Sequence, residues 1–136
     1  MLHFVHDSDR VAWRDADRRL REIVGVAQDW LDARYGPCVL TVTSFLRLQD
    51  RGSPHGYHRA IDIAAHTQLP RYSYELPAGA AEALTGYLNR TFAYSDLPGK
   101  EGNHIAIFGE IDPSGAHDDH IHIGVPPLGE RVSLRG

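Results

Sequence analysis

The stretch His120-Ile121-His122-Ile123-Gly124-Val125 sets polar and apolar side chains in alternation, and that alternation decides the fold. A period of two belongs to a strand with one face turned to a core. Ile121 and Ile123 are expected to pack inward, while His120 and His122 project together from the other face, where two imidazoles can converge on one site. Upstream, His104-Ile-Ala-Ile-Phe-Gly-Glu-Ile111 reads as another strand and Asp112-Pro-Ser-Gly115 as a turn. The two runs are expected to pair as an antiparallel hairpin.

Working outward, Arg59 to Ala64 reads as a strand in which Ile61 and Ile63 flank Asp62 and point the other way. An aspartate between two isoleucines needs a metal, an arginine or a surface position, because an unpaired buried carboxylate is costly. Cys38 to Leu48, rich in Val, Thr, Phe and Leu, reads as a further strand, followed by a turn-rich loop, Gln49 to Gly56. From Ser8 to Tyr35 the apolar residues Leu20, Val24, Ala27 and Leu31 recur at helical spacing, widened by Ile23 and Trp30, and Gly36-Pro37 stops the helix. Pro77 opens a second helix, with Ala81, Leu84, Leu88 and Phe92 on one face, that ends near Tyr94. The expected architecture is α+β, one domain over residues 1–136, with helices packed on one side of a small antiparallel sheet.

Bulk properties narrow the function. A chain of 136 residues is the size of one domain, and its net charge of −4 argues against a phosphate-backbone binder. Nucleic acid is therefore not an expected partner. Cys38, the one cysteine, forms no intramolecular disulfide and sits in an apolar run that suggests a buried thiol. No stretch approaches the roughly 18 apolar residues of a membrane span, and the start lacks a charged, then apolar, leader. The expectation is a protein without a membrane anchor or export signal, cytoplasmic or released by a phage-type route, and monomeric.

Histidine distribution carries the chemistry. Five of the nine histidines lie in two clusters, His55-Gly-Tyr-His58 and His117-Asp-Asp-His120-Ile-His122. Zinc favours imidazole and carboxylate ligands, and hydrolytic sites keep three protein ligands with the fourth position open to water. Asp118 and Asp119 can equally form a solvated turn. Strand alternation from Asp119 onward would set Asp119 opposite His120. His3, His6, His66 and His104 are read as ordinary residues, Arg51 and Arg59 as solvated or paired, and Tyr57 and Tyr94 as core tyrosines.

Ser53-Pro-His55-Gly-Tyr-His58-Arg-Ala60-Ile-Asp62 resembles the pattern Ser-x-His-x-x-Gly-x-Ala-x-Asp of the zinc peptidases of the D-Ala-D-Ala carboxypeptidase, murein endopeptidase and hedgehog type. His58 stands where the family has glycine. The family's closing His-x-His is matched by His120-Ile-His122. His117 matches the endopeptidase branch, which places a histidine three residues before that closing pair. Asp119 matches the D-Ala-D-Ala branch, which places an acid three residues before the ligand. Ser44-Phe-Leu-Arg47 is similar to a degenerate form of the family's Ser-Gly-Tyr-Arg segment.

The resemblance implies a hedgehog or DD-peptidase-like fold with a Zn²⁺ ion on His55, Asp62 and His122, and with Arg47 and Ser53 contacting substrate. It implies hydrolysis of an amide in a peptidoglycan stem peptide or a similar D-amino-acid peptide, with Asp119 or His120 taking the proton of the attacking water. Protonated His120 or Arg47 would stabilise the oxyanion. The rival expectation is a zinc-binding recognition module without catalysis on the same scaffold, motivated by His58.

Overall fold

The computed structural model describes residues 1–45, 58–109, 114 and 118–135. Among them the elements run β1 (Leu2–Phe4), α1 (Asp7–Ala12), a 3₁₀ turn (Trp13–Asp15), α2 (Arg18–Tyr35), β2 (Leu40–Ser44) and β3 (Ala60–Ala64). There follow α3 (Ala80–Thr91), β4 (Phe92–Ala93), β5 (Ala106–Ile107), β6 (His120–Gly124) and β7 (Ser133–Leu134). The fold is α+β. Its main sheet has the order β1-β2-β3-β6-β5.

β3 and β6 pair antiparallel at the centre, with Ile61 opposite Ile123, Asp62 opposite His122, Ile63 opposite Ile121 and Ala64 opposite His120. The four isoleucines are fully buried in one cluster with Leu40 and Val42 of β2, Leu20, Ile23, Val24, Ala27 and Leu31 of α2, and Leu84 and Leu88 of α3. Each buried isoleucine, leucine or valine contributes roughly 1.5–3 kcal/mol on leaving water, so this face holds the sheet to the helices. The expected pairing of the two C-terminal strands is present, since Ala106 and Ile107 of β5 lie antiparallel to Ile123 and His122.

The sheet is not wholly antiparallel, as had been expected. β1 lies parallel to β2, with Leu2 opposite Leu40 and Phe4 opposite Val42. A parallel neighbour needs a crossover, which α1 and α2 supply. A three-residue strand is too short to show a period in the sequence.

The helix expected from Ser8 to Tyr35 is divided. Ala16 is extended (φ −60°, ψ 145°), and α2 begins only after Asp17, whose side chain accepts the Arg19 backbone N–H at 2.9 Å. All the residues that carry the helical period lie within α2, so the period is real but shorter than its apparent start. Trp13, in the interrupted stretch, packs edge-on against buried Phe45. At the other end Gly36, at φ +81°, releases the chain before Pro37.

α3 begins three residues after Pro77, with Gly79 at φ +80° as its N-cap. It stops at Thr91 because Phe92 and Ala93 pair antiparallel with Leu134 and Ser133. Asn89 of α3 takes the place of a further strand on the sheet edge. Its side-chain amide donates to the Ala106 carbonyl and its Oδ1 accepts the Ala106 N–H, each at 2.9 Å. No helix of the described residues is long and apolar enough to cross a membrane.

Candidate active site

The face of β3 and β6 turned away from the isoleucines carries Asp62, His120 and His122. Because Asp62 and His122 are cross-strand partners, their side chains stand over the same point of the sheet. Asp62 Oδ1 lies 3.1 Å from His122 Nδ1, and Asp62 Oδ2 lies 3.8 Å from His120 Nε2. Asp62 is almost fully buried at 2% exposure, whereas the His120 and His122 side chains are 23% and 15% exposed. The carboxylate forms the floor and the imidazoles the wall of a polar face that opens to solvent.

Two local features shape that face. The β2–β3 register shifts between Val42 and Ser44, so that Ser44 comes opposite Asp62. A bulge of this kind re-aims side chains beside a site. On β6, Gly124 leaves room for the His122 ring, since a Cβ at that position would meet His122 Nε2 at 3.0 Å. With Nε2 over Gly124, the ring nitrogen facing Asp62 is Nδ1.

Asp119 does not sit on the opposite side from His120, as alternation from Asp119 would have it. β6 starts at His120, so Asp119 precedes the pleat and its Oδ1 lies 2.8 Å from His120 Nδ1. Its carboxyl is held below the ordinary value, first by the hydrogen bond with His120 against the opposing effect of burial, and then by the positive charges of His120 and Arg71. An ionised carboxylate only accepts, so the His120 ring presents an Nδ1–H to Asp119. Nε2 is the atom turned toward Asp62. The two candidate proton acceptors of the sequence thus form one pair.

Arg71 joins that pair from the chain that follows β3. Its Nη2 donates to Asp119 Oδ2 at 3.0 Å. Nothing in the pattern around Gln68-Leu-Pro-Arg71 singles it out. Its approach depends on a closure between Thr67 and Glu75 that only the folded chain reveals.

His58 is the last residue of the first histidine cluster and the one histidine of it among the described residues. It has φ +60°, the left-handed region that favours glycine, and its ring packs edge-on against Phe45 at 5.6 Å. Its carbonyl accepts the Asp17 N–H at 3.0 Å. Arg59 is paired, its Nη1 donating to the Val125 carbonyl. The buried thiol expected at Cys38 is present.

Arg47, Ser53, His55, Tyr57 and His117 lie outside the described residues. Among the described residues no three histidine, cysteine, aspartate or glutamate side chains are set to hold a metal ion together. Asp62 and His122, the two expected ligands that are described, meet across adjacent strands. Their donor set of one carboxylate and one imidazole, with the space Gly124 leaves for the ring, fits part of a zinc site whose third expected ligand is His55.

No protein-family model matches this chain, and no curated protein or solved structure matches it.

Proposed function

We propose that this protein is a zinc-dependent amide hydrolase acting on peptidoglycan stem peptides or similar short peptides carrying D-amino acids. The observation that carries the reading is the juxtaposition of the Asp62–His122 pair with the Asp119–His120 pair on one half-open face of the sheet. A metal-ligand pair beside an oriented imidazole is what hydrolysis by an activated water requires.

In this reading His55, Asp62 and His122 hold the metal. When bound, zinc supplies Lewis acidity toward a carbonyl and makes water acidic near neutrality. Asp119 fixes the His120 ring through Nδ1, so that Nε2 takes the proton of the attacking water and returns it to the leaving amine. Burial of Asp62 keeps its carboxylate away from bulk water, which strengthens its interaction with a cation. Arg47 or protonated His120 stabilises the oxyanion, and Ser53 contacts substrate.

The substrate class rests on the resemblance of Ser53–Asp62 and His120–His122 to the zinc peptidases. Left-handed backbone at His58 supports it, because the position adopts a conformation suited to the glycine found there in that family. The test is digestion of purified sacculi and of D-Ala-terminated peptides by wild type, Asp119→Ala and His120→Ala. Cleavage by wild type that falls in both variants is expected. Cleavage undiminished in both would remove the proton-transfer pair from the mechanism.

A further inference from the structure

We propose that Arg71 is a positioning residue for His120, acting through Asp119. Its catalytic consequence rests on the hydrolase reading above, whereas its effect on the His120 ring does not.

The two oxygens of Asp119 are divided between partners. Oδ1 accepts from His120 Nδ1 at 2.8 Å, and Oδ2 accepts from Arg71 Nη2 at 3.0 Å. A carboxylate with a single partner can turn about its own axis and still keep that bond, while one held on both oxygens has its plane fixed. The main chain of Asp119 is also pinned, because its carbonyl accepts the Ala65 N–H at 3.0 Å. Both ends of Asp119 are therefore tied to the segment that leaves β3.

That segment is built to present Arg71. The Glu75 carboxylate accepts the Thr67 N–H at 3.0 Å and the Thr67 hydroxyl at 3.0 Å, closing the loop between them. Thr41 of β2 donates its hydroxyl to the Tyr74 carbonyl at 2.7 Å, which ties the returning arm to the sheet. Arg71 lies within this closed loop and reaches Asp119 across a separation of 48 residues.

The Arg71 and Asp119 side chains are 71% and 43% exposed. Exposed ion pairs add little to stability, so a structural role for Arg71 would be faint. An orienting role is not: partners that hold a functional histidine in place commonly matter by one to two orders of magnitude. A single N–H contact is also within the chemistry of lysine, so a conservative replacement should retain part of the effect.

The experiment compares wild type, Arg71→Ala, Arg71→Lys, Asp119→Ala and the Arg71→Ala/Asp119→Ala double variant at one neutral pH. Long-range ¹H–¹⁵N correlation spectra report which His120 ring nitrogen carries the hydrogen. Expected is an Nδ1–H ring in wild type, loss of that preference in Arg71→Ala toward the Asp119→Ala spectrum, and recovery in Arg71→Lys, with melting temperatures unchanged by the Arg71 substitutions. With a cleaved D-Ala-terminated peptide, Arg71→Ala lowers kcat roughly tenfold at constant KM, and the double variant is no slower than Asp119→Ala alone. A His120 spectrum identical in wild type and Arg71→Ala overturns the proposal, as does a raised KM with intact kcat or additive losses in the double variant. If the ring signature moves but wild type cleaves no peptide, the positioning role stands and the hydrolase reading falls.

Discussion

Asp62 presents its two oxygens to two different histidines: Oδ1 lies 3.1 Å from His122 Nδ1, and Oδ2 lies 3.8 Å from His120 Nε2. One buried carboxylate thus stands between an expected metal ligand and an expected proton acceptor. Truncating it leaves the His122 ring without its cross-strand partner. Asp62→Ala should destabilise the fold by about 1–3 kcal/mol, and Asp62→Asn, which keeps an acceptor oxygen, by less. Urea unfolding of the two variants measures the difference, and equal losses would show that the acceptor oxygen kept by asparagine contributes nothing.

His120 and Asp119 should not be equivalent in catalysis. If His120 Nε2 moves the proton, His120→Ala lowers kcat by about 10²–10⁴-fold, while Asp119→Asn, which disturbs only the orienting contact, lowers it by about 10–100-fold. A larger loss in Asp119→Asn than in His120→Ala would reverse the roles.

Acid sensitivity should trace in part to Asp17. Burial alone would raise its carboxyl, but hydrogen bonds from the Arg19 side chain and backbone outweigh that and hold it below the ordinary value. A folded-state pKa below the unfolded one gives stability that is present above the unfolded value, roughly 3.9, and lost as pH falls through the folded value. Asp17→Asn should therefore flatten the acid limb of the stability curve below about pH 4. A limb as steep as that of wild type would contradict this.

Arg19 extends the same contact across the chain. It pairs with Asp17 at 2.7 Å and donates to the Glu130 carbonyl at 2.8 Å and the Pro126 carbonyl at 2.6 Å. Arg19→Ala should cost about 1–3 kcal/mol at neutral pH, because it removes charge-assisted hydrogen bonds from a partly buried carboxylate and from two carbonyls. Thermal unfolding measures this, and a loss under 1 kcal/mol would place the pair among inert surface contacts.

At His58, the left-handed backbone costs a side chain about 1–2 kcal/mol, partly offset by the ring contact with Phe45. His58→Gly relieves the cost and loses the ring, whereas His58→Ala loses the ring and keeps the cost. The glycine variant should be the more stable of the two by about 1 kcal/mol, as chemical denaturation would show. Equal stabilities would mean that the backbone relaxes.

Local order was legible in the sequence where a period runs long enough to be read. The alternation in β3 and β6 and the helical spacing from Leu20 to Leu31 each correspond to a buried face. What escaped depends on distant contacts. β1 exists because β2 offers it an edge, and α2 starts late because Asp17 caps it. The shift that sets Ser44 opposite Asp62 has no local sign. Site residues followed the same division. The shared face of His120 and His122 follows from spacing alone. The union of Asp119 with His120, and the arrival of Arg71, follow from where β6 begins and how residues 67–75 close.

Zinc binding tests the central claim most directly. Protein dialysed against a chelator, reloaded with zinc and freed of excess metal should retain about one zinc per chain by elemental analysis, with retention lost in His122→Ala and Asp62→Ala variants that remain folded. No retained zinc in wild type, or full retention in folded His122→Ala, would contradict the assignment of this face as a metal centre.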